Sequence, residues 1–136
     1  MIAYVDSVQN LTLDSLAVGF FDGWPDAPSR ETHVKLLRQS DFVILAMDES
    51  TEKVIGFITA ITDGVLSAYI PLLEVLPQYR HQGIGHELTR RMLDQLSEFY
   101  MIDLSCDPSL QTFYEQHNMW SAMAMVKRNY DRQSGV

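Results

Sequence analysis

The spacing of apolar positions changes near residue 41, and that change divides the chain into a helical opening and a strand-rich middle. Before it, Leu13, Leu16 and Phe20 recur at helical intervals within residues 12–21. After Ser29, a good N-cap, Val34 and Leu37 do the same, with Leu36 beside them. Two helices are therefore predicted, separated by the turn-rich stretch 23–28, Gly-Trp-Pro-Asp-Ala-Pro. Ile2-Ala3-Tyr4-Val5 in front of them reads as an edge strand.

Beyond Asp41 the apolar runs 42–47, 54–61 and 67–76 are too short for helices and read as strands. Thr62-Asp63-Gly64 lies between the second and third and predicts an antiparallel hairpin, because Asp-Gly tolerates positive φ. Pro71 has no N–H to give a ladder, so the third of these strands should be interrupted near its middle. Ile84, Leu88, Met92, Leu96 and Phe99 then trace one helical stripe, with Arg90, Arg91, Asp94, Gln95 and Glu98 off it. A strand over 102–106 should hide Ile102, Leu104 and Cys106, Asp107-Pro108 should open a short helix, and 119–126 should close the fold as a strand. The resulting order is β, α, α, β, β, β, α, β, α, β. Its strand-helix-strand unit around Gly83 requires a parallel, right-handed crossover.

With 136 residues, 46% of them hydrophobic, the chain can bury roughly two thirds of its unfolded surface around one core. One compact α/β domain over 1–136 is expected, since no repeat or linker divides the sequence. No apolar stretch approaches the ~20 residues that cross a bilayer, and no basic region with an apolar block opens the chain; a cytoplasmic protein with no membrane partner is the expectation. The net charge of −8, with ten Lys and Arg that are dispersed or concentrated near one loop, argues against nucleic acid and favours approach by cations such as amines. Cys106 is the single cysteine, so no internal disulfide forms, and its expected place is a buried strand position. His33 and His117 have no ligand spacing, and no metal is expected.

The chemistry concentrates in Arg80-His81-Gln82-Gly83-Ile84-Gly85, a two-glycine turn between a strand and the best helix of the chain. A helix N-terminus leaves unpaired N–H groups carrying about half a positive charge, and glycine lets a ligand approach the backbone. With Arg80 beside it, a phosphate or diphosphate is the natural occupant. A P-loop would need Gly-Lys-Ser/Thr, whereas Gly85 precedes His86-Glu87. A dinucleotide fingerprint would need glycine at 88, which is leucine, although Asp103 lies near the usual distance of the ribose acid.

Residues 73–85, Leu-Glu-Val-Leu-Pro-Gln-Tyr-Arg-His-Gln-Gly-Ile-Gly, resemble motif A of the GNAT superfamily of N-acetyltransferases, whose core is Arg/Gln-x-x-Gly-x-Gly/Ala. Phe113-Tyr114-Glu115-Gln116-His117-Asn118-Met119 is similar to that family's Phe-Tyr-x-x-x-Gly-Phe, and the likeness spans about Val54 to Met119. The resemblance implies the GNAT fold, a mixed, mostly antiparallel sheet splayed at the cofactor cleft and flanked by helices. It also implies acetyl-CoA as cosubstrate and a small-molecule or peptide amine as acceptor. Leu73 and Val75 would offer main-chain groups to the pantetheine arm. Arg80, His81, Gln82, Gly83, Ile84, Gly85 and His86 would wrap the diphosphate, and Asp107 would touch the pantetheine. Tyr114 would protonate the departing thiolate; periodicity alone makes it an ordinary core residue with Leu110 and Phe113.

A neutral amine must be generated, because a free alkylammonium has a pKa near ~10.4. Where aralkylamine and histone acetyltransferases of the superfamily carry bases, this chain has Tyr69 and Pro71, and neither serves. Glu74 is the nearest carboxylate; it is a base, directly or through water, or else an outward side chain between Leu73 and Val75. The missing strand base keeps open a non-catalytic CoA-binding module. The resemblance places Trp24, Glu31 and Tyr4 as candidates for the acceptor pocket. Met119, Met123 and Met125 fill core or a dimer surface, and a homodimer built there or on the sheet edge is an open alternative.

Overall fold

The computed structural model describes residues Met1–Val136. Five strands form one sheet in chain order: β1 (Ile2–Val5), β2 (Phe42–Asp48), β3 (Lys53–Thr62), β4 (Ser67–Val75) and β5 (Met101–Asp103). The first three junctions are antiparallel and β4–β5 is parallel, as the helical connection between that pair demands. The fold is α/β, with helices α1 (Arg30–Gln39) and α2 (Ile84–Gln95) on the two faces and a short α3 (Gln111–Glu115) after β5.

Strand periodicity sorts the core into two layers. Val43 and Leu45 of β2, with Val54 and Phe57 of β3, pack against Leu11, Leu16, Phe21, Val34 and Leu37. Ile44 and Ala46, with Ile55 and Ile58, point the other way, onto Ile84, Leu88, Met92 and Leu96. Because both faces are covered, β2 and β3 are near-continuous apolar runs. Each of the larger side chains so buried contributes roughly 1.5–3 kcal/mol. Ser29 caps α1 as expected, its Oγ accepting from the Thr32 N–H at 3.1 Å.

Pro71 interrupts β4 as predicted. Thr59 faces Leu72 and Ile61 faces Tyr69, so β4 carries one extra residue there, a bulge that bends the strand. Consequently β4 pairs with β5 only through Ser67↔Met101, Ala68↔Ile102 and Tyr69↔Asp103, although it runs on to Val75. Beyond Tyr69 the two chains diverge and leave a cleft between them. The β3–β4 connection is longer than a two-residue turn; Asp63 Oδ1 organises it by accepting from the N–H groups of Val65, Leu66 and Ser67 at 2.8, 2.9 and 3.2 Å.

Four expectations are corrected. The helix over 12–21 is reduced to one 3-10 turn at Leu13–Ser15. Distant cations claim the carbonyls a helix would use: Arg38 binds Leu11 O, Arg30 binds Leu13 O and Leu16 O, and Lys53 binds Asp14 O. Leu16 instead bridges Val54, and Gly19 and Phe21 adopt φ of 120° and 63°, so the segment still buries Leu16 and Phe21 while running as coil. Residues 119–126 form no strand, and everything from Trp120 to Arg132 is exposed. β5 ends at Asp103, which leaves Cys106 exposed rather than buried. The Asp107 side chain makes no cap bond. No helix is long and apolar enough to cross a membrane.

Candidate functional site

The cleft opens along β4 because of backbone parity. Leu76 N–H donates to Ile55 O of β3 at 2.9 Å. In an antiparallel pair such bonding alternates along the strand. Leu73 and Val75, three residues and one residue before Leu76, therefore turn their main-chain groups away from β3, toward the open edge. Arg80 demonstrates this at Val75, whose carbonyl accepts from Arg80 Nε at 3.0 Å. The side chains alternate too: Leu73 and Val75 pack on the α2 side and Leu72 on the α1 side.

From Leu76 the chain makes a 3-10 turn at Pro77–Tyr79, and Tyr79 anchors it by donating to Asp48 Oδ2 at 2.6 Å. Asp48 also accepts from the Ser50 N–H and hydroxyl, and these bonds, led by that from Tyr79, hold its carboxyl at about 2. Next, His81 and Gly83 adopt φ of 62° and 81°, the alternation that curls backbone amides into an anion-binding nest. None of the N–H groups from His81 through His86 donates to a protein acceptor; the next to do so is that of Glu87, to Gly83 O at 3.0 Å. Six successive amides are thus available where α2 begins, next to the Arg80 cation. A Cβ on Gly83 would meet nothing within 4 Å, so it is backbone conformation rather than space that selects glycine there.

Across the cleft, α3 presents Phe113 and Tyr114, both half-buried. Phe113 stacks on His86 at 4.2 Å between centroids. His86 Nδ1 lies 3.0 Å from His117 Nε2. The His86 ring therefore ties the start of α2 to α3, while its backbone amide has no protein acceptor. Burial, with some coulombic effect from His86, lowers the pKa of His117. Burial, with the neighbouring Cys106 adding to it, pushes the Tyr114 hydroxyl up to about 12. Tyr114 is thus a protonated donor throughout the neutral range. Asp107, exposed at the turn that leads into α3, lies on the same side.

Glu74 is not the outward side chain that strand alternation allowed. It is half-buried, and its Oε1 accepts from Phe21 N–H at 2.8 Å. Burial raises its pKa, against the opposing pull of that hydrogen bond and of Arg80. Trp24 packs edge-on against Phe21 at 5.0 Å, which brings it to the Glu74 side. Tyr4 lies elsewhere, on β1 at the far edge of the sheet, with Arg91 4.7 Å over its ring. Glu31 lines a hollow on the outer side of α1 with Lys35 and Arg38. Tyr69 hydrogen-bonds Ser105 Oγ at 3.3 Å across the mouth of the cleft. No three His, Cys, Asp or Glu side chains converge as a metal site.

Phe21, Phe113, Cys106 and His117 escaped the residue-level reading as members of the site. Phe113 and His117 are four apart on a helical face, which is a signal; the Phe21 contact has none, because it depends on a left-handed coil conformation.

The sequence pattern of the acetyltransferase (GNAT) family matches residues 9–119, well over half of the chain. A candidate acetyltransferase from Deinococcus radiodurans R1 is 42% identical, with a TM-score of 0.93 over 99% of this chain and 93% of its own. A GNAT-family protein of Streptococcus pneumoniae is 25% identical, with a TM-score of 0.69 over 95% of this chain and all of its own. An uncharacterized N-acetyltransferase of Pyropia yezoensis, ycf52, is 24% identical over 97 residues, which are 69% of this chain and 56% of that protein. The chain thus spans little more than half the length of that curated relative.

Proposed function

The chain belongs to the acetyltransferase (GNAT) family, and we propose that it transfers the acetyl group of acetyl-CoA to a primary amine of a small molecule or peptide, directly, in a ternary complex. The observation that carries this reading is the run of six unpaired amides at residues 81–86 adjoining the outward-facing main chain of Leu73 and Val75. One feature suits a diphosphate and the other an extended amide-bearing arm. The residues present fit that cosubstrate: amides 81–86 and Arg80 would hold the diphosphate, and Leu73 and Val75 would pair with pantetheine amides. Asp107 would touch the same arm from the α3 side.

Glu74 and Tyr114 are the groups that would serve a thioester led along this edge. Glu74, whose pKa burial raises toward that of a better base, takes a proton from the ammonium directly or through water. The amine nitrogen then bonds to the carbonyl carbon, the C–S bond breaks as Tyr114 gives its proton to the departing sulfur, and the second proton that the nitrogen sheds in becoming an amide returns through water to the Tyr114 oxygen. Holding the amine against the thioester lowers the barrier further, an effect that can reach about 7–11 kcal/mol. Tyr69 and Pro71 take no part.

Isothermal titration with acetyl-CoA should show binding at micromolar protein, and thiol release should follow with at least one amine among polyamines, arylalkylamines, amino acids, aminoglycosides and N-terminal peptides. Binding without thiol release for any acceptor would identify a CoA-binding regulatory module instead. No binding would remove the proposal altogether.

A further inference from the structure

One carbonyl that a pantetheine amide would use is already taken. Val75 O faces away from β3, and Arg80 Nε donates to it at 3.0 Å. The Arg80 side chain therefore lies on the side of β4 from which an extended amide-bearing arm would approach. Its charge also reaches Glu74, whose carboxyl it pulls down against the effect of burial. The guanidinium thus sits over the end of the strand.

Little holds it there. The bond to Val75 is the only hydrogen bond that the Arg80 side chain makes, and the ion pairs of the chain join Arg90 and Arg91 to Glu87 and Asp94 instead. The backbone beneath it is fixed by contrast. Arg80 N–H donates to Pro77 O at 3.2 Å, and Tyr79 is tied to Asp48 at 2.6 Å. Rotation of the side chain alone can carry the guanidinium off Val75 and leave the turn in place. The next residue, His81, begins the run of six unpaired amides. A guanidinium bonds an anionic oxygen about twice as strongly as a neutral one, and with two parallel N–H groups. A diphosphate seated on those amides would outcompete the Val75 carbonyl for Arg80.

We infer that Arg80 selects the acyl donor: it covers the Val75 carbonyl until a diphosphate draws it away, so pantetheine thioesters that lack a diphosphate are rejected. The two halves of one cosubstrate then bind cooperatively, because each favours the same position of Arg80, and the coupling is reciprocal. The inference rests on the reading of this cleft as a CoA site. It adds to Arg80 a role that holding the diphosphate does not by itself require.

S-acetylpantetheine, which is uncharged and has no diphosphate, is the probe, with inorganic pyrophosphate supplied separately. Isothermal titration of the wild-type protein should show S-acetylpantetheine binding at least about fivefold more tightly in saturating pyrophosphate than without it, the lower end of ordinary coupling between sites. Arg80→Ala should bind S-acetylpantetheine alone more tightly than wild type does, while pyrophosphate no longer helps and affinity for acetyl-CoA falls. An arginine that only held the diphosphate would leave the binding of S-acetylpantetheine unchanged. In a protein that binds acetyl-CoA, three results overturn the inference and leave the CoA reading standing: no effect of pyrophosphate on wild type, equal S-acetylpantetheine affinity in wild type and Arg80→Ala, or S-acetylpantetheine binding to neither protein. Failure of wild type to bind acetyl-CoA overturns both. If Arg80→Ala does not fold, the effect of pyrophosphate on wild type decides.

Discussion

Glu74 Oε1 accepts a 2.8 Å hydrogen bond from the Phe21 N–H, and this one bond joins β4 to the coil that precedes α1. It half-buries a carboxylate at the cleft, fixes its direction and leaves its second oxygen uncommitted. The same contact explains why Phe21 sits at φ 63°: the left-handed residue turns its amide toward β4.

Glu74→Gln keeps an oxygen for Phe21 and removes the base. Turnover should fall by about 10²–10⁴-fold, with thermal stability little changed. Because burial raises the pKa of Glu74, wild-type turnover should climb with pH through a midpoint above the usual carboxylate range. That limb should vanish in the variant. An unchanged rate and pH profile would assign proton removal to another group.

Tyr114→Phe should leave CoA affinity intact and lower kcat by about 10²-fold, the loss of a general acid. With the hydroxyl held up at about 12, the wild-type rate should show no alkaline fall from this group near neutral pH. Paired titration calorimetry and thiol-release kinetics check both statements; equal turnover would make Tyr114 a packing residue.

Gly83 and Gly85 should respond differently to alanine. Gly83 has φ 81°, where a Cβ costs about 1–2 kcal/mol, so Gly83→Ala should lower thermal stability and weaken CoA binding together. At Gly85 a Cβ meets the Phe113 ring at 3.5 Å, ordinary contact in a helical turn, and alanine there should be neutral or stabilising by up to about 1 kcal/mol. Thermal melts of the two variants, with and without CoA, separate the cases.

His33 is buried against Phe20, Phe21 and Phe57, its Nε2 has no partner, and desolvation lowers its pKa to about 4. The unfolded chain takes up this proton near 6.5 and the folded chain does not. Stability is therefore undiminished above that pH, and about 2–3 kcal/mol is lost as pH falls from about 6.5 to about 4. His33→Phe should remove that loss and match or exceed wild-type stability at neutral pH. Urea unfolding at about pH 7.5 and about pH 4.5 tests it; an equal acid loss in both proteins would place the proton elsewhere.

Local patterns in the sequence determined the strands β1 to β4, the cap and buried face of α1, the stripe of α2, the bulge at Pro71 and the glycine loop that starts α2. Each is encoded within a few residues, by side-chain period, by a missing N–H or by a tolerance of positive φ. Tertiary structure alone decided the rest. Arg30, Arg38 and Lys53 reach in from other elements to take the carbonyls of 11–16, and so a helical pattern runs as coil. Glu74 meets Phe21, and His86 meets His117, across 53 and 31 residues of chain, distances over which no periodicity speaks. Residues 119–126 read as a strand yet form none, because pairing depends on where a distant edge lies in space, which local sequence does not encode.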